Sequence, residues 1–275
     1  MPAATRLPAL LLRRSPFGES SLVLRVLTPS LGRVDLIAKG AYRATSRFFA
    51  VADWFHTLEL EFTPKANGLA LLAGADWGRR RATIPQRGGH YRAAQCALEL
   101  TERMAQADHP EPELFSALET ALDHFDAGDQ VPDLDQIRFE MRCLALLGVA
   151  PALDDCASCG ARVGKSPVRV PFSAGAGGRL CSPCATAARA GGMRVGTMPT
   201  AVLEAARELS ARPRDVLALT PADGDLLCRV RDLLGRYLDY HLESRLRCQQ
   251  GFLREANRNA PERGAARPLS PPIRP

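Results

Sequence analysis

The stretch that decides how the second half of the chain folds is DDCASCGARVGKSPVRVPFSAGAGGRLCSPC, residues 154–184. It holds two Cys-x-x-Cys pairs, Cys156/Cys159 and Cys181/Cys184, with 21 residues between them. A Cys-x-x-Cys turn brings two sulfurs to one point, and two such turns supply the four thiolates that a tetrahedral Zn²⁺ takes in a closed structural site. Because thiols fill all four positions, none is left for a catalytic water. The spacing therefore predicts a zinc module over residues 154–187 that binds one structural zinc ion.

Three other uses of these cysteines stay open. A pair of disulfides would need an oxidising compartment, to which nothing in the sequence points, and a redox Cys-x-x-Cys would need only one pair. The third alternative is a site that has lost its metal and is held by packing alone. The remaining cysteines lie singly in helical patterns and are expected to be small buried apolar residues: Cys96, Cys143, Cys228 and Cys248.

The length and composition of the chain indicate an intracellular protein of two domains. With 275 residues, 46% of them hydrophobic, the chain can bury a sizeable core. It has no apolar run of transmembrane length, and Arg13 and Arg14 end the apolar opening before a signal peptide is complete. We therefore expect a soluble, cytoplasmic protein with reduced thiols and no membrane partner.

The net charge of +6 is unevenly distributed along the chain. Residues 1–92 carry 14 Lys or Arg against 6 Asp or Glu, whereas residues 93–250 carry 17 against 22. The tail, residues 251–275, carries 5 against 2. A codon bias would explain the preference for Arg over Lys but not this segregation, which favours a polyanion as partner of the N-terminal part.

The first 77 residues are rich in strand patterns. Short turn sequences with Gly and Pro separate five runs, and apolar and acidic residues alternate in 57–62. Five short strands in a basic unit predict a small closed barrel over residues 1–82, such as an OB-fold; composition alone does not separate it from an SH3-like barrel. The runs are RLPALLLRR (6–14), SSLVLRVLT (20–28), GRVDLIAKG (32–40), HTLELEFTP (56–64) and GLALLAGAD (68–76).

Beyond residue 86 the apolar period becomes helical. The predicted helices are 91–104, 113–125, 134–147 with Asp133 as its cap, 200–210, and a longest helix that opens at Thr220-Pro221. The acidic stretch 108–135 is expected to face solvent, and the tail, residues 251–275, to be disordered. The predicted fold class is thus α+β: an N-terminal five-stranded OB-fold barrel, followed over residues 83–250 by an all-α domain that carries the four-cysteine zinc module.

Basic and aromatic residues are interleaved after the third predicted strand. Positive charges that track phosphates, combined with aromatic faces for bases, are what sequence-tolerant binding of single strands needs. A second basic cluster follows the last strand of the barrel. The alternative for the neighbouring aromatics Phe48, Phe49 and Phe55 is packing against the barrel core, which we expect for these three. The predicted DNA-binding residues are Lys39, Tyr42, Arg43, Arg47, Arg79, Arg80 and Arg81.

The sequence offers no recognisable catalytic motif. It lacks a P-loop, a His-Glu-x-x-His and a Gly-x-Ser-x-Gly, and its five histidines form no spaced pair. We therefore expect no enzymatic activity. A second hypothesis is a zinc-ribbon interaction module whose basic barrel binds RNA or the ribosome. A protein of that kind would prefer structured RNA and would not anneal DNA strands.

The run GESSLVLRVLTPSLGRVDLIAKGAYRATSRF, residues 18–48, resembles the opening of the RecO family of bacterial recombination mediators. The matching positions are Gly18-Glu19, Thr28 with Gly32, Lys39-Gly40-Ala41, Arg43 and Ser46-Arg47. A helical second half interrupted by a four-cysteine module is also similar to that family. The resemblance covers roughly residues 5–248 and leaves the tail outside.

The resemblance implies an OB-fold domain, a helical domain with a zinc module, and a non-enzymatic, nucleoid-associated role in recombinational repair by the RecF pathway. Members of the family bind single- and double-stranded DNA and anneal complementary strands without ATP. They act with the RecR protein to load the RecA recombinase onto DNA covered by single-strand-binding protein. They also contact the acidic C-terminal tail of that protein.

Overall fold

Residues 5–77 fold into a closed five-stranded barrel. The structure is a computed structural model, and it describes residues 4–43, 46, 48–65, 68–162, 168–211 and 223–248. The strands close in the order β1-β2-β3-β5-β4, in which β3 and β5 run parallel and the other pairs are antiparallel. The predicted barrel is thereby confirmed. Its strands are β1 (Thr5–Phe17), β2 (Ser21–Thr28), β3 (Gly32–Ala38), β4 (Thr57–Thr63) and β5 (Ala70–Trp77).

Alternation along the strands fills the barrel. On β2, Leu22, Leu24 and Val26 point inward and are buried, while Val23 and Arg25 lie between them on the outer face and are only half-buried. Because successive side chains of a strand point to opposite faces, this register leaves Arg25 on the outer face. The short helix α1 (Phe48–Val51) lies in the link between β3 and β4 and packs against β5.

The second half is built mainly from helices. Prolines occupy the first helical position of α3 and α4, where the missing N–H group is not needed. Val131, not Asp133, precedes α4, so the predicted cap is wrong; Asp133 instead pairs with Arg231 at 2.5 Å. The helices are α2 (Gly88–Met104), α3 (Pro112–Ala127), α4 (Pro132–Leu146), α5 (Ser182–Ala190), α6 (Thr200–Ala211) and α7 (Gly224–His241).

The largest core lies between helices α2, α3, α4, α6 and α7. Three barrel residues, Leu10, Leu12 and Leu27, belong to this core rather than to the interior of the barrel. The core therefore continues across the junction between the two halves. Its fully buried helical side chains include Leu118, Phe125, Ile137, Leu234 and Leu238.

The cysteines belong to a small unit with its own sheet. Strands β6 (Arg169–Ser173), β7 (Gly178–Arg179) and β8 (Gly196–Pro199) pair in the order β7-β6-β8, and α5 lies between β7 and β8 in the chain. Because β8 pairs with β6, the unit runs beyond the predicted limit of residue 187. We call residues 154–199 the cysteine unit.

A buried arginine joins the barrel to the helices. The Arg81 side chain is 1% exposed, and its guanidinium donates hydrogen bonds to the Phe55 carbonyl oxygen at 2.9 Å and to Thr57 Oγ1 at 3.1 Å. On α3 it pairs with the carboxylates of Asp123, at 2.6 Å, and Glu119, at 3.7 Å. The predicted DNA contact at Arg81 is corrected, because an enclosed guanidinium has no surface to offer to a phosphate.

The same junction corrects the prediction that the acidic stretch 108–135 faces solvent. Glu119 and Asp123 turn toward Arg81, and the Asp126 carboxylate accepts a hydrogen bond from the Thr83 N–H at 2.8 Å. Asp135 is 2% exposed. A carboxylate can be buried at low cost only beside a donor or a cation. The segment after β5 supplies both to Glu119, Asp123 and Asp126, and Arg138 lies 3.8 Å from Asp135.

A second joint lies at the opposite end of the barrel. The turn between β2 and β3 reaches the segment between α2 and α3, where the Arg33 N–H donates to the Gln106 carbonyl at 2.9 Å. Gly32 adopts a positive φ of +62°, and a Cβ there would lie 2.1 Å from the His109 carbonyl oxygen. Only glycine permits this approach of two backbones. The barrel is thus fixed to the helices at both of its ends.

The junction makes stability sensitive to pH through His56. Its Nδ1 accepts a hydrogen bond from the Arg81 N–H at 2.9 Å. Burial, which Asp53 opposes in part, and the neighbouring Arg80 and Arg81 lower the pKa of His56 from its ordinary 6.5. Protonation is therefore costlier in the folded protein than in the unfolded chain. The stability that neutral His56 contributes is complete above about pH 6.5 and is lost as pH falls through the lower folded pKa.

A His56→Asn variant tests this pH dependence, because the Asn amide oxygen can accept the same hydrogen bond but does not titrate. Urea unfolding at pH 7.5 and pH 5.0 should show a larger loss of stability in the native protein than in the variant. The other histidines and carboxylates are common to both proteins and cancel in the comparison. Equal losses in the two proteins would contradict the role assigned to His56.

Candidate metal centre and nucleic-acid face

The sulfurs of Cys156, Cys159, Cys181 and Cys184 meet at one point. All four lie within 4.8 Å of one another, and the Sγ atoms of Cys159 and Cys181 are 3.9 Å apart. A tetrahedral zinc with Zn–S bonds of about 2.3 Å requires sulfurs about 3.8 Å apart. The four cysteines are free thiols rather than disulfides. The arrangement therefore fits a closed metal site.

Backbone turns position both pairs of cysteines. In the first pair the Gly160 N–H donates to the Cys156 carbonyl at 2.8 Å, and Gly160 takes a φ of +69° that a turn of this tightness requires. In the second pair Cys181 precedes α5, so that Cys184 lies in the first turn of that helix. The Cys181 N–H points to Cys156 Sγ at 3.4 Å and links the two pairs.

The four thiols cannot all ionise without a cation. Burial acts to raise the pKa of Cys156, but N–H groups of Cys181, Cys159 and Ser158 outweigh it and lower this pKa to about 6. Hydrogen bonding with the other three thiols raises the pKa of Cys184 to about 12. The backbone thus favours one thiolate, that of Cys156, and its negative charge opposes ionisation of the other three thiols. A divalent cation at the centre would relieve this repulsion.

The predicted DNA-binding residues follow two strands of the barrel that run in the same direction. Residues 39–43 follow β3, and residues 78–80 follow β5, which extends six residues beyond the pairing of Leu71 with Ile37. Lys39 and Arg43 are exposed, and the Tyr42 N–H donates to the Ser20 carbonyl at 3.0 Å. Residues 17–20, which include the exposed Glu19, form the adjoining turn.

Gly40 shapes the turn that residues 39–43 form after β3. Gly40 has a φ of +67°, and a Cβ there would lie 3.2 Å from Cδ of Arg43. The Arg43 side chain therefore lies along the glycine backbone, beside Lys39. Arg47 lies outside the described residues, as does the side chain of Phe49.

The three arginines of the basic cluster after β5 lie in different environments. Arg79 is 64% exposed and pairs with Asp123 at 2.9 Å. The guanidinium carbon of Arg80 lies 4.1 Å from the ring centroid of Trp77, on the outside of the barrel. Arg81 points inward, as described above. Of the three predicted arginines, Arg80 therefore has the best access to a ligand.

Two exposed aromatic side chains near the predicted residues, those of Phe17 and Trp77, were not predicted from the sequence. Phe17 is 54% exposed, Trp77 40% and Tyr42 42%, and only Tyr42 was predicted. The signal was available, because Trp77 ends β5 and Phe17 ends β1 next to glycine. Phe48 packs against the barrel core, as expected. Phe55 is buried too, but in the core of the helical half and against Tyr91 of α2, so its expected place in the barrel core is corrected. We define the barrel end face as Phe17, Lys39, Tyr42, Arg43, Trp77 and Arg80.

Across the part of the chain that the structure describes, no helix is long and apolar enough to cross a membrane.

Comparison with known proteins relates the whole of this architecture to one family. A family model described as "Recombination protein O N terminal" matches residues 1–79, and one described as "Recombination protein O C terminal" matches residues 87–249. "DNA repair protein RecO" of Myxococcus xanthus (strain DK1622) is 30% identical over 87% of this chain and 93% of its own length. The protein of the same name from Anaeromyxobacter sp. (strain K) is 34% identical over 91% and 96%. The chain belongs to the RecO family of DNA repair proteins.

Proposed function

We propose that this protein acts in DNA repair as a non-enzymatic recombination mediator. It binds single- and double-stranded DNA, anneals complementary strands without nucleotide, and helps to load a RecA recombinase onto DNA covered by single-strand-binding protein. The observation that carries the proposal is the barrel end face, where exposed cations and exposed aromatics occur together in a member of the RecO family.

The chemistry of this face suits single strands. Lys39, Arg43 and Arg80 supply positive charge for phosphates, and this contribution weakens as salt rises. Tyr42, Trp77 and Phe17 supply flat apolar surface on which bases can stack, with about 1–3 kcal/mol per stacked base. Neither interaction reads sequence, as a mediator that acts at any site of damage requires.

The four-cysteine centre supports the proposal in a different way. We propose that it holds one zinc ion, with Cys156, Cys159, Cys181 and Cys184 as the ligands. A fully thiolate site has no open position, so the ion would brace the cysteine unit and, through β6, the helices. The side chain of Phe172 on β6 packs against Tyr237 of α7 with ring centroids 6.1 Å apart.

The proposed partners are a RecR-like protein, the acidic tail of single-strand-binding protein and, indirectly, RecA, in the cytoplasm and at the nucleoid. A groove of about 490 Å³ between α3 and α4 has chemistry that suits an acidic, partly apolar tail. Ala117, Ala121 and Phe139 line its apolar part. Its two arginines, Arg138 and Arg142, are paired with the lining carboxylates of Asp135 and Glu113, so an acidic tail would have to replace these partners.

Annealing without nucleotide tests the proposal. Two complementary oligonucleotides are coated with single-strand-binding protein, and duplex formation is followed by fluorescence. The variant Lys39→Ala/Arg43→Ala/Arg47→Ala should anneal at least tenfold more slowly, and the slope of log affinity against log salt should fall in magnitude by about 2 if three phosphate contacts are lost. The matched control removes three exposed arginines that are paired within the helical domain, Arg207, Arg229 and Arg236.

The outcomes separate the hypotheses. Annealing that survives in the triple variant but not in the control would place the DNA site elsewhere. A native protein that does not anneal DNA but prefers structured RNA would contradict the proposal and favour the RNA- or ribosome-binding module.

A further inference from the structure

The cysteine unit is a basic region within an acidic domain. Between residues 154 and 199 six Lys or Arg face two Asp, a net charge of +4. The rest of residues 93–250 carries 11 Lys or Arg against 20 Asp or Glu. A structural brace needs no such charge. A concentration of one sign on a small unit indicates a ligand of the opposite sign.

Two of these cations have no acidic partner where the structure describes the chain. Arg189 and Arg194 are exposed, and no ion pair joins either of them to a carboxylate of a described residue. Several exposed arginines elsewhere in the helical half are paired: Arg142 with Glu113, Arg229 with Asp225 and Arg236 with Asp232. Arg103 and Arg245 are exposed like Arg189 and Arg194, and no ion pair joins them to a described carboxylate either. The charges of Arg189 and Arg194 are therefore not neutralised by ion pairs with described residues.

Met193, which precedes Arg194 in the chain, belongs to an exposed apolar surface. Tyr240, at the end of α7, is 57% exposed, and Met193 is 40% exposed. Both side chains meet at Gly175, where a Cβ would lie 2.7 Å from the Tyr240 hydroxyl oxygen and 3.8 Å from Cγ of Met193. Gly175 thus leaves room for the hydroxyl end of Tyr240 beside the backbone of the cysteine unit.

Backbone hydrogen bonds fix the main chain at both arginines. The Gly192 N–H donates to the Arg189 carbonyl at 3.0 Å, which closes the turn after α5. The Arg194 carbonyl accepts a hydrogen bond from Ser173 Oγ at 2.8 Å, which ties the next segment to β6. Met193 lies between the two arginines in the chain. We define the unit face as Arg189, Met193, Arg194 and Tyr240.

We propose that the unit face is a second binding surface for single-stranded DNA. It repeats the chemistry of the barrel end face, with two guanidinium groups for phosphates and one exposed tyrosine for a base. This inference rests on the proposed function, because annealing requires that two strands be held at once. The barrel end face takes one strand, and the unit face takes its complement. The cysteine unit then contributes directly to annealing as well as bracing the helices.

Binding stoichiometry of a short fluorescent oligo(dT) to the full-length, zinc-loaded protein tests the inference. The native protein should bind two oligonucleotides per chain. The variant Arg189→Gln/Arg194→Gln should bind one and should anneal complementary strands at least tenfold more slowly. Tyr240→Ser should weaken the second binding event, and Tyr240→Phe should restore it, because a phenyl ring also stacks. The matched control is Arg229→Gln/Arg236→Gln, which removes two exposed but paired arginines.

A cross-link between a 5-iodouracil oligonucleotide and the peptide that contains Tyr240 would confirm the location. One oligonucleotide per native chain, or two per chain in the unit-face variant, would overturn the inference and leave the proposed function intact. Two per native chain without annealing would support this surface and contradict the proposed function. A unit-face variant that loses binding to single-strand-binding protein while keeping both oligonucleotides would overturn DNA as the occupant in favour of a protein.

Discussion

Substitution of Arg81 by methionine should lower the free energy of unfolding by about 3 kcal/mol, although the variant keeps most of the side-chain volume. The guanidinium donates to the Phe55 carbonyl and Thr57 Oγ1 and pairs with two carboxylates of α3. Methionine can satisfy none of them. Each buried acceptor left without a donor costs about 1–3 kcal/mol.

The backbone at Phe55 increases the expected effect. This residue has a positive φ of 73°, which is unfavourable for a bulky side chain. Its carbonyl is held in place by the Arg81 guanidinium. Loss of that hydrogen bond removes the interaction that offsets the strained conformation, so Arg81→Lys, with a single point charge, should restore only part of the stability.

Thermal unfolding provides the measurement. Since 1 kcal/mol shifts the Tm of a chain of this size by roughly 2–4 °C, Arg81→Met should lower the Tm by roughly 6–12 °C. Arg79→Met is the matched control, because Arg79 pairs with the same Asp123 but is 64% exposed. An exposed pair contributes about 0–1 kcal/mol, so the control should change little. Equal shifts in the two variants would show that burial of Arg81 does not matter.

Removal of the metal should have the other large effect. Cys156 is 2% exposed and receives the N–H of Cys181, so Cys156→Ala removes the ligand that links the two cysteine pairs. The variant should lose its zinc and unfold the cysteine unit, since structural zinc sites supply about 10–16 kcal/mol of apparent binding free energy in zinc-finger peptides. Loss of fold should precede loss of any single contact.

Zinc content and limited proteolysis measure this effect. The native protein should release one zinc ion per chain after thiol modification, and Cys156→Ala should release none and be cleaved between residues 156 and 184. Cys228→Ala serves as the control, because this thiol is not part of the cluster and is exposed, contrary to the expectation from sequence that it is buried. A stable, fully active protein without zinc would rule out a structural metal.

The barrel and the cysteine cluster were predictable from sequence because each leaves a local signal. Strands leave a period of two between turn residues, and ligands leave a fixed spacing. The Arg81 junction was not predictable, because its partners on α3 lie about 40 residues away and nothing local distinguishes Arg81 from Arg80. Adjacent residues of an extended segment point in opposite directions, so one cation reaches solvent and the next is enclosed.

Two strands of the cysteine unit escaped prediction for a different reason. β7 contains only two residues, Gly178 and Arg179, and β8 begins with Gly196 and ends with Pro199. Glycine and proline ordinarily indicate a loop. Both segments become strands because β6 offers them an edge on each side, which is a tertiary effect.

The apolar contacts of Leu10, Leu12 and Leu27 with the helices have a consequence for the history of this protein. The two family models meet near residue 80, yet the core crosses that boundary. A barrel expressed alone would present those leucines to water, and helices expressed alone would lack their cover. The halves are therefore not exchangeable modules. A lineage could replace one of them only together with a matching surface on the other, so the two must be inherited and must change as one piece.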